Sequence, residues 1–115
     1  MLKIPKGQKQ SVSHTRSKKQ ESELATRLGG KITPGSGNKL IKGDVRVNKV
    51  VRVECKTTKN KSFSVTQDML DKIELAALPY NEMPVLQVEF IDAKRNPLRS
   101  VCIVPDYILE MIMGQ

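Results

Sequence analysis

The sequence predicts an α/β domain: about five strands forming one small sheet, with helices around it, in the order α-β-β-β-α-β followed by a further strand and helix. Three observations predict this. Two stretches, 17–28 and 65–78, carry helical start and stop signals. Between them 44–47 and 51–57 alternate apolar and polar side chains, as a half-buried strand must. Two further apolar runs, 84–91 and 100–104, follow the second helix. At 115 residues the chain suits one domain, and with 3% aromatic residues its core must be built from Val, Ile, Leu and Met.

Residues 1–16 are polar and basic, contain no acid and show no sustained period, so they read as a flexible basic arm preceding a single domain at 17–115. Ser17 with Gln20 makes a capping box for the first helix, and the Gly29–Gly30 pair ends it. Residues 31–43 form a glycine-rich connection with room for a short first strand. Strands at 44–47 and 51–57 come next, then a helix capped by Ser64 with Gln67 and ended by Pro79. After the strands at 84–91 and 100–104, a helix spans 105–113 with Pro105 in its first turn. Cys55 and Cys102 lie in apolar runs without metal-ligand spacing and are expected as reduced core residues. No apolar run approaches the roughly 20 residues that span a bilayer, and the basic N-terminus has no apolar h-region. A cytoplasmic protein without membrane contact is expected.

Charge narrows the choice of partner. The chain carries 20 Lys plus Arg against 12 Asp plus Glu, for a net +8. The excess lies wholly before Gln67, with 16 basic and 4 acidic residues there and 4 basic and 8 acidic residues from Gln67 onward. A field of that shape attracts a polyanion, and nucleic acid is the usual one.

The few acids of the basic half are therefore informative. Leu24, Ala25 and Leu28 follow Glu21 at the i+3, i+4 and i+7 positions, which share one side of a helix, so Glu21 is centred on the apolar stripe. Glu23, at the i+2 position, faces away and can pair with Arg27. An inward Glu21 needs compensating cations or hydrogen bonds unless it reaches past the stripe to solvent. In the hairpin, a turn centred on Lys49 sets Val45 opposite Val53 and Val47 opposite Val51, with Cys55 continuing the dry face. The other face then carries Asp44 opposite Glu54, Arg46 opposite Arg52, and Lys56 one step beyond. Facing carboxylates repel unless a divalent cation lies between them, and their hard oxygens suit Mg²⁺ or Mn²⁺. Lys56 is then placed to orient a metal-bound water or to stabilise charge on a phosphate.

Asp44 in "GD", a gap of nine residues, and "ECK" at 54–56 resemble the PD-(D/E)XK nuclease motif, with Gly43 where proline often stands. Glu21 in "QESELATRL" is similar to the helix-borne glutamate that precedes this motif in archaeal-type and phage Holliday-junction resolvases. "GSG" at 35–37 falls where those proteins carry a serine-containing loop, and "PVLQVEF" at 84–90 looks like their next core strand. The resemblance covers about residues 17–104. It implies a mixed sheet flanked by helices (restriction-endonuclease-like), a homodimer, and Mg²⁺-dependent phosphodiester hydrolysis in branched DNA. It further implies Asp44 and Glu54 as metal ligands supported by Glu21, Lys56 as the water-activating residue, and Ser36 with the backbone of Gly35 and Gly37 at a phosphate. Lys18, Lys39, Lys42, Arg46 and Arg52 complete the expected DNA-binding set. A plain connecting loop is the simpler reading of 35–37, and capping the simpler role for Gln67. His14 reads as a solvated arm residue. Two other functions stay open at this point: a nuclease of the same type acting on other DNA, and a non-catalytic basic protein that coats DNA, which has no use for the three acids.

Overall fold

The computed structural model describes residues 12–33 and 44–114. Its elements are α1 (Val12–Leu28), β1 (Lys31–Ile32), β2 (Val45–Val47), β3 (Val51–Thr58), α2 (Gln67–Ala77), β4 (Met83–Ile91), β5 (Pro97–Ile103) and α3 (Asp106–Ile112). The five strands form one sheet in the order β1-β2-β3-β4-β5. Neighbours are antiparallel except β3 and β4, which run parallel. Parallel neighbours need a crossover connection, which α2 supplies.

The hairpin register is the one chosen by the apolar pattern: Val45 pairs with Val53, Arg46 with Arg52 and Val47 with Val51. Lys49 turns the chain with φ 62°. Val45, Val53 and Cys55 then share a buried cluster with Val85 of β4 and with Leu24 and Ala25 of α1, so α1 covers this face. Alternation sends Arg52, Glu54 and Lys56 to the opposite face, where α2 contributes buried Ile73 and Ala77. Gly29, at φ 69°, reverses the chain after α1. Gly30 permits the close approach of β2: a Cβ there would lie 2.6 Å from the Arg46 carbonyl oxygen.

Several elements differ from the sequence reading. Helix α1 begins at Val12, so residues 12–16 belong to the helix and not to an arm; residues 1–11 lie outside the described residues. Ser17 is consequently no cap, and its hydroxyl donates to Thr57 Oγ1 across the α1–β3 interface. Thr66, not Ser64, caps α2, accepting the Met69 N–H at 3.2 Å. Pro79 sits in a 3-10 turn (Leu78–Tyr80) that continues α2 before β4. Pro105 is the N-cap of α3 and not part of its first turn. Cys55 is buried, but Cys102 is exposed, because β5 is an edge strand with little packed over it. Leu28 is also exposed, leaving Leu24 and Ala25 as the buried apolar pair of α1.

Candidate active site

The site arises where the hairpin ladder stops. β3 runs on to Thr58, yet β2 pairs with it only as far as Val53. The Asp44 N–H still bonds the Val53 carbonyl at 2.6 Å. The chain then leaves the ladder, and the carboxylate of Asp44 takes the place of the missing strand, with Oδ2 accepting the Cys55 N–H at 2.7 Å. Asp44 and Glu54 thus do not form the regular cross-strand pair read from the sequence. Asp44 instead caps the β3 backbone one residue beyond Glu54. Thr33 anchors the same point, its N–H donating to the Asp44 carbonyl at 2.9 Å. Among the described residues its buried hydroxyl meets no hydrogen-bond partner.

Glu21 is half-buried on α1 with its carboxyl pushed up to about 7, first by burial and then by the charges of Asp44 and, more weakly, Glu54; Lys18 acts in the opposite sense. Glu21 is thus neither fully enclosed nor fully exposed, and α1 brings it into electrostatic reach of both hairpin acids. Glu54 and Lys56, alternating onto one face of β3, form an ion pair of 3.4 Å. Acids with a lysine beside them, where β2 no longer pairs with β3, can bind a hard cation, polarise water and contact a phosphate oxygen. Among the described residues, no three His, Cys, Asp or Glu side chains form a group that could by themselves hold a metal. The donor chemistry nevertheless fits one held in part by water and phosphate. All donors are carboxylate oxygens, and one oxygen of Asp44 is already committed to backbone.

The expected DNA-binding set fares unevenly. Lys18 is exposed and close enough to Glu21 to act on its charge. Arg52 is buried, and its Nε donates to Glu82 at 2.9 Å, so it presents nothing to DNA. Arg46 is also engaged, donating to the same carboxylate at 2.5 Å and to Asn48 Oδ1 at 3.0 Å. Both guanidinium groups stack on Tyr80, 4.8 and 4.7 Å from the ring centroid. The sequence reading missed this cluster because Glu82 and Tyr80 follow α2, far along the chain from Arg52. Gly35, Ser36, Gly37, Lys39 and Lys42 lie outside the described residues. Glu23 pairs with Arg16 at 2.6 Å, not with Arg27. Gln67 is exposed at the start of α2.

A second group went unread as well. Gln20, taken as half of a capping box, is buried beneath α1 and bonded to Lys56, Thr57 and Gln87. Its place four residues before Leu24, with Ser17 three before it, is the inner-face spacing that a longer helix would have revealed.

Comparison with family models, curated proteins and solved structures finds no match to this chain. No described helix is long and apolar enough to cross a membrane.

Proposed function

We propose that this chain is a metal-dependent, structure-selective DNA endonuclease of the PD-(D/E)XK type, cutting four-way junctions by paired nicks as a homodimer. The observation that carries the reading is Glu21. The chain is net +8, yet burial, the charge of Asp44 and, more weakly, that of Glu54 push this carboxyl up to about 7. Acids gathered near one another in a basic chain repel phosphate unless a cation joins them. A DNA-coating protein gains nothing from that arrangement. The five-stranded mixed sheet flanked by helices agrees with the coarse architecture that the resemblance implies.

In this reading Asp44 and Glu54 would hold Mg²⁺ or Mn²⁺ with support from Glu21, and the ion would supply Lewis acidity at the scissile phosphate and an acidified water. The chain's own residues do the rest. Lys56, held by Glu54, orients the attacking water or meets the charge that grows on the phosphate. Glu21, projecting from α1, supports the metal or the attacking water. Lys18 beside the site, and Lys39, Lys42 and the Gly35–Ser36–Gly37 stretch by resemblance, contact backbone phosphates.

Incubation with labelled four-way junction, linear duplex and single strand, in Mg²⁺ or in EDTA, tests this. Junction-selective, Mg²⁺-dependent nicking is expected. Cleavage of all duplex would move the substrate to other DNA, and metal-independent binding without cleavage in any condition would reject the enzyme reading.

A further inference from the structure

The interface between α1 and the sheet has two unlike halves. At the Leu24 end it is dry, with Leu24 and Ala25 on Val45, Val53, Cys55 and Val85. At the Ser17 end it is polar and still buried. Gln20 is 2% exposed. Its Nε2 donates to the Lys56 carbonyl at 3.1 Å and to Gln87 Oε1 at 3.0 Å, and its Oε1 accepts the Thr57 hydroxyl at 2.7 Å. Thr57 in turn accepts from Ser17 at 3.2 Å. Burying an amide under a helix is costly unless every group is paired, and an apolar residue would cover the sheet at no such cost. What the amide adds is direction, because apolar contact tolerates sliding and rotation whereas three hydrogen bonds to fixed partners do not.

The atoms that Gln20 holds are the ones that matter to the site. It precedes Glu21 on α1, so its bonds fix the rotation and height of the helix where Glu21 projects. The carbonyl it grips belongs to Lys56, so the same side chain fixes β3 at the lysine, in the stretch that β2 leaves uncovered. We infer that Gln20 is a positioning residue that locks Glu21 of α1 in register with Lys56 of β3, using Thr57 and Gln87 as its anchors. This rests on the endonuclease reading above.

Gln20→Met tests it, since Met keeps the length and unbranched shape of Gln and removes the hydrogen bonds. Leu24→Ala, in the dry half of the same interface, is the comparator that weakens packing without touching the network. Both are assayed below their melting transitions, by junction cleavage and by Mn²⁺ binding to the metal-free protein. Gln20→Met is expected to lower kcat about 10-fold to 100-fold, the scale of an ångström-sized misplacement. KM for junction should be unchanged, and Mn²⁺ affinity should fall several-fold. Leu24→Ala should melt lower yet keep both values. If Gln20→Met and Leu24→Ala behave alike, the positioning role is overturned while the nuclease reading stands. If the wild-type protein neither cleaves nor binds Mn²⁺, the nuclease reading falls and takes the inference with it.

Discussion

Glu82 and Glu21 are both acids drawn out of water on this sheet, and their surroundings are opposite. Glu82 is fully enclosed, and burial raises its pKa. Hydrogen bonds from Arg46, the Lys49 N–H and Arg52 override that and hold the carboxyl below its ordinary value. Glu21 has the exposed Lys18 beside it, faces two like charges, and rises to about 7. The first arrangement is what a fold does with an acid it uses as a tie. It fastens both hairpin strands and the hairpin turn to the segment leading into β4. The second sets an acid against like charge where, among the described residues, Lys18 opposes the shift; it is the kind of perturbed group that the proposed function would use. Burial alone therefore does not separate structural from chemical carboxylates; the difference lies in the partners.

The comparison is broken most severely at Glu82. Glu82→Gln leaves two guanidinium groups against a neutral amide and is expected to destabilise by about 3–5 kcal/mol, the usual effect of breaking a buried pair. In a domain of this size that lowers the melting temperature by more than about 10 °C. A change of a degree or two would show the cluster to be ornamental.

Next comes Lys56, the cation on the chemical side of the comparison. Lys56→Ala is expected to lower junction cleavage by about two orders of magnitude or more, with binding nearly unchanged. Affinity falling in step with rate would reduce Lys56 to a phosphate contact.

Glu21 supplies a smaller effect with a definite sign in pH. Its folded carboxyl keeps protons that the unfolded one releases, so the stability it contributes is greatest below pH 4.5 and declines as pH rises toward about 7. Glu82 has the reverse slope, its contribution being lost as pH falls through its depressed pKa. Denaturant melts of Glu21→Gln without metal should accordingly match wild type near pH 4.5 and lie above it once pH exceeds about 7, while Mg²⁺ should stabilise wild type more than the variant. Identical pH profiles would place Glu21 out of reach of Asp44 and Glu54.

The smallest effect belongs to Glu23, whose half-exposed side chain meets Arg16. Glu23→Gln should cost about 0.2–1 kcal/mol and leave cleavage unchanged, because Arg16 keeps its buried partner Glu89. A loss of activity comparable to that of Glu21→Gln would mean that the two helix faces exchange roles.

What the sequence disclosed follows the same division. The hairpin register was legible because Val45, Val47, Val51, Val53 and Cys55 separate cleanly from the charged residues between them, and a slip of one residue would mix the faces. The side of α1 that carries Glu21 was read from Leu24, Ala25 and Leu28, of which Leu28 is exposed, and that pattern left open whether the carboxyl stays inside or reaches solvent. The start of α1 was not legible, because the described buried side chains ahead of Leu24 are Arg16 and Gln20, and those burials make sense only once Glu89, Gln87 and Thr57 are known to lie beneath. Arg46 and Arg52 were assigned to DNA because nothing in the local sequence points to Glu82. Apolar periodicity is a local signal, whereas polar complementarity is written across distant segments.

Asp44 binds the Cys55 N–H with one carboxylate oxygen, so under the proposed function the position would answer to two demands at once. A variant meant to silence chemistry should keep an acceptor there: Asn can still receive the backbone hydrogen, while Ala would strand it. A lineage that abandoned cleavage would, for the same reason, remain under selection to hold Asp or Asn at 44. Persistence of that residue among descendants would then record the demands of folding, and an intact aspartate could outlive the activity it once served.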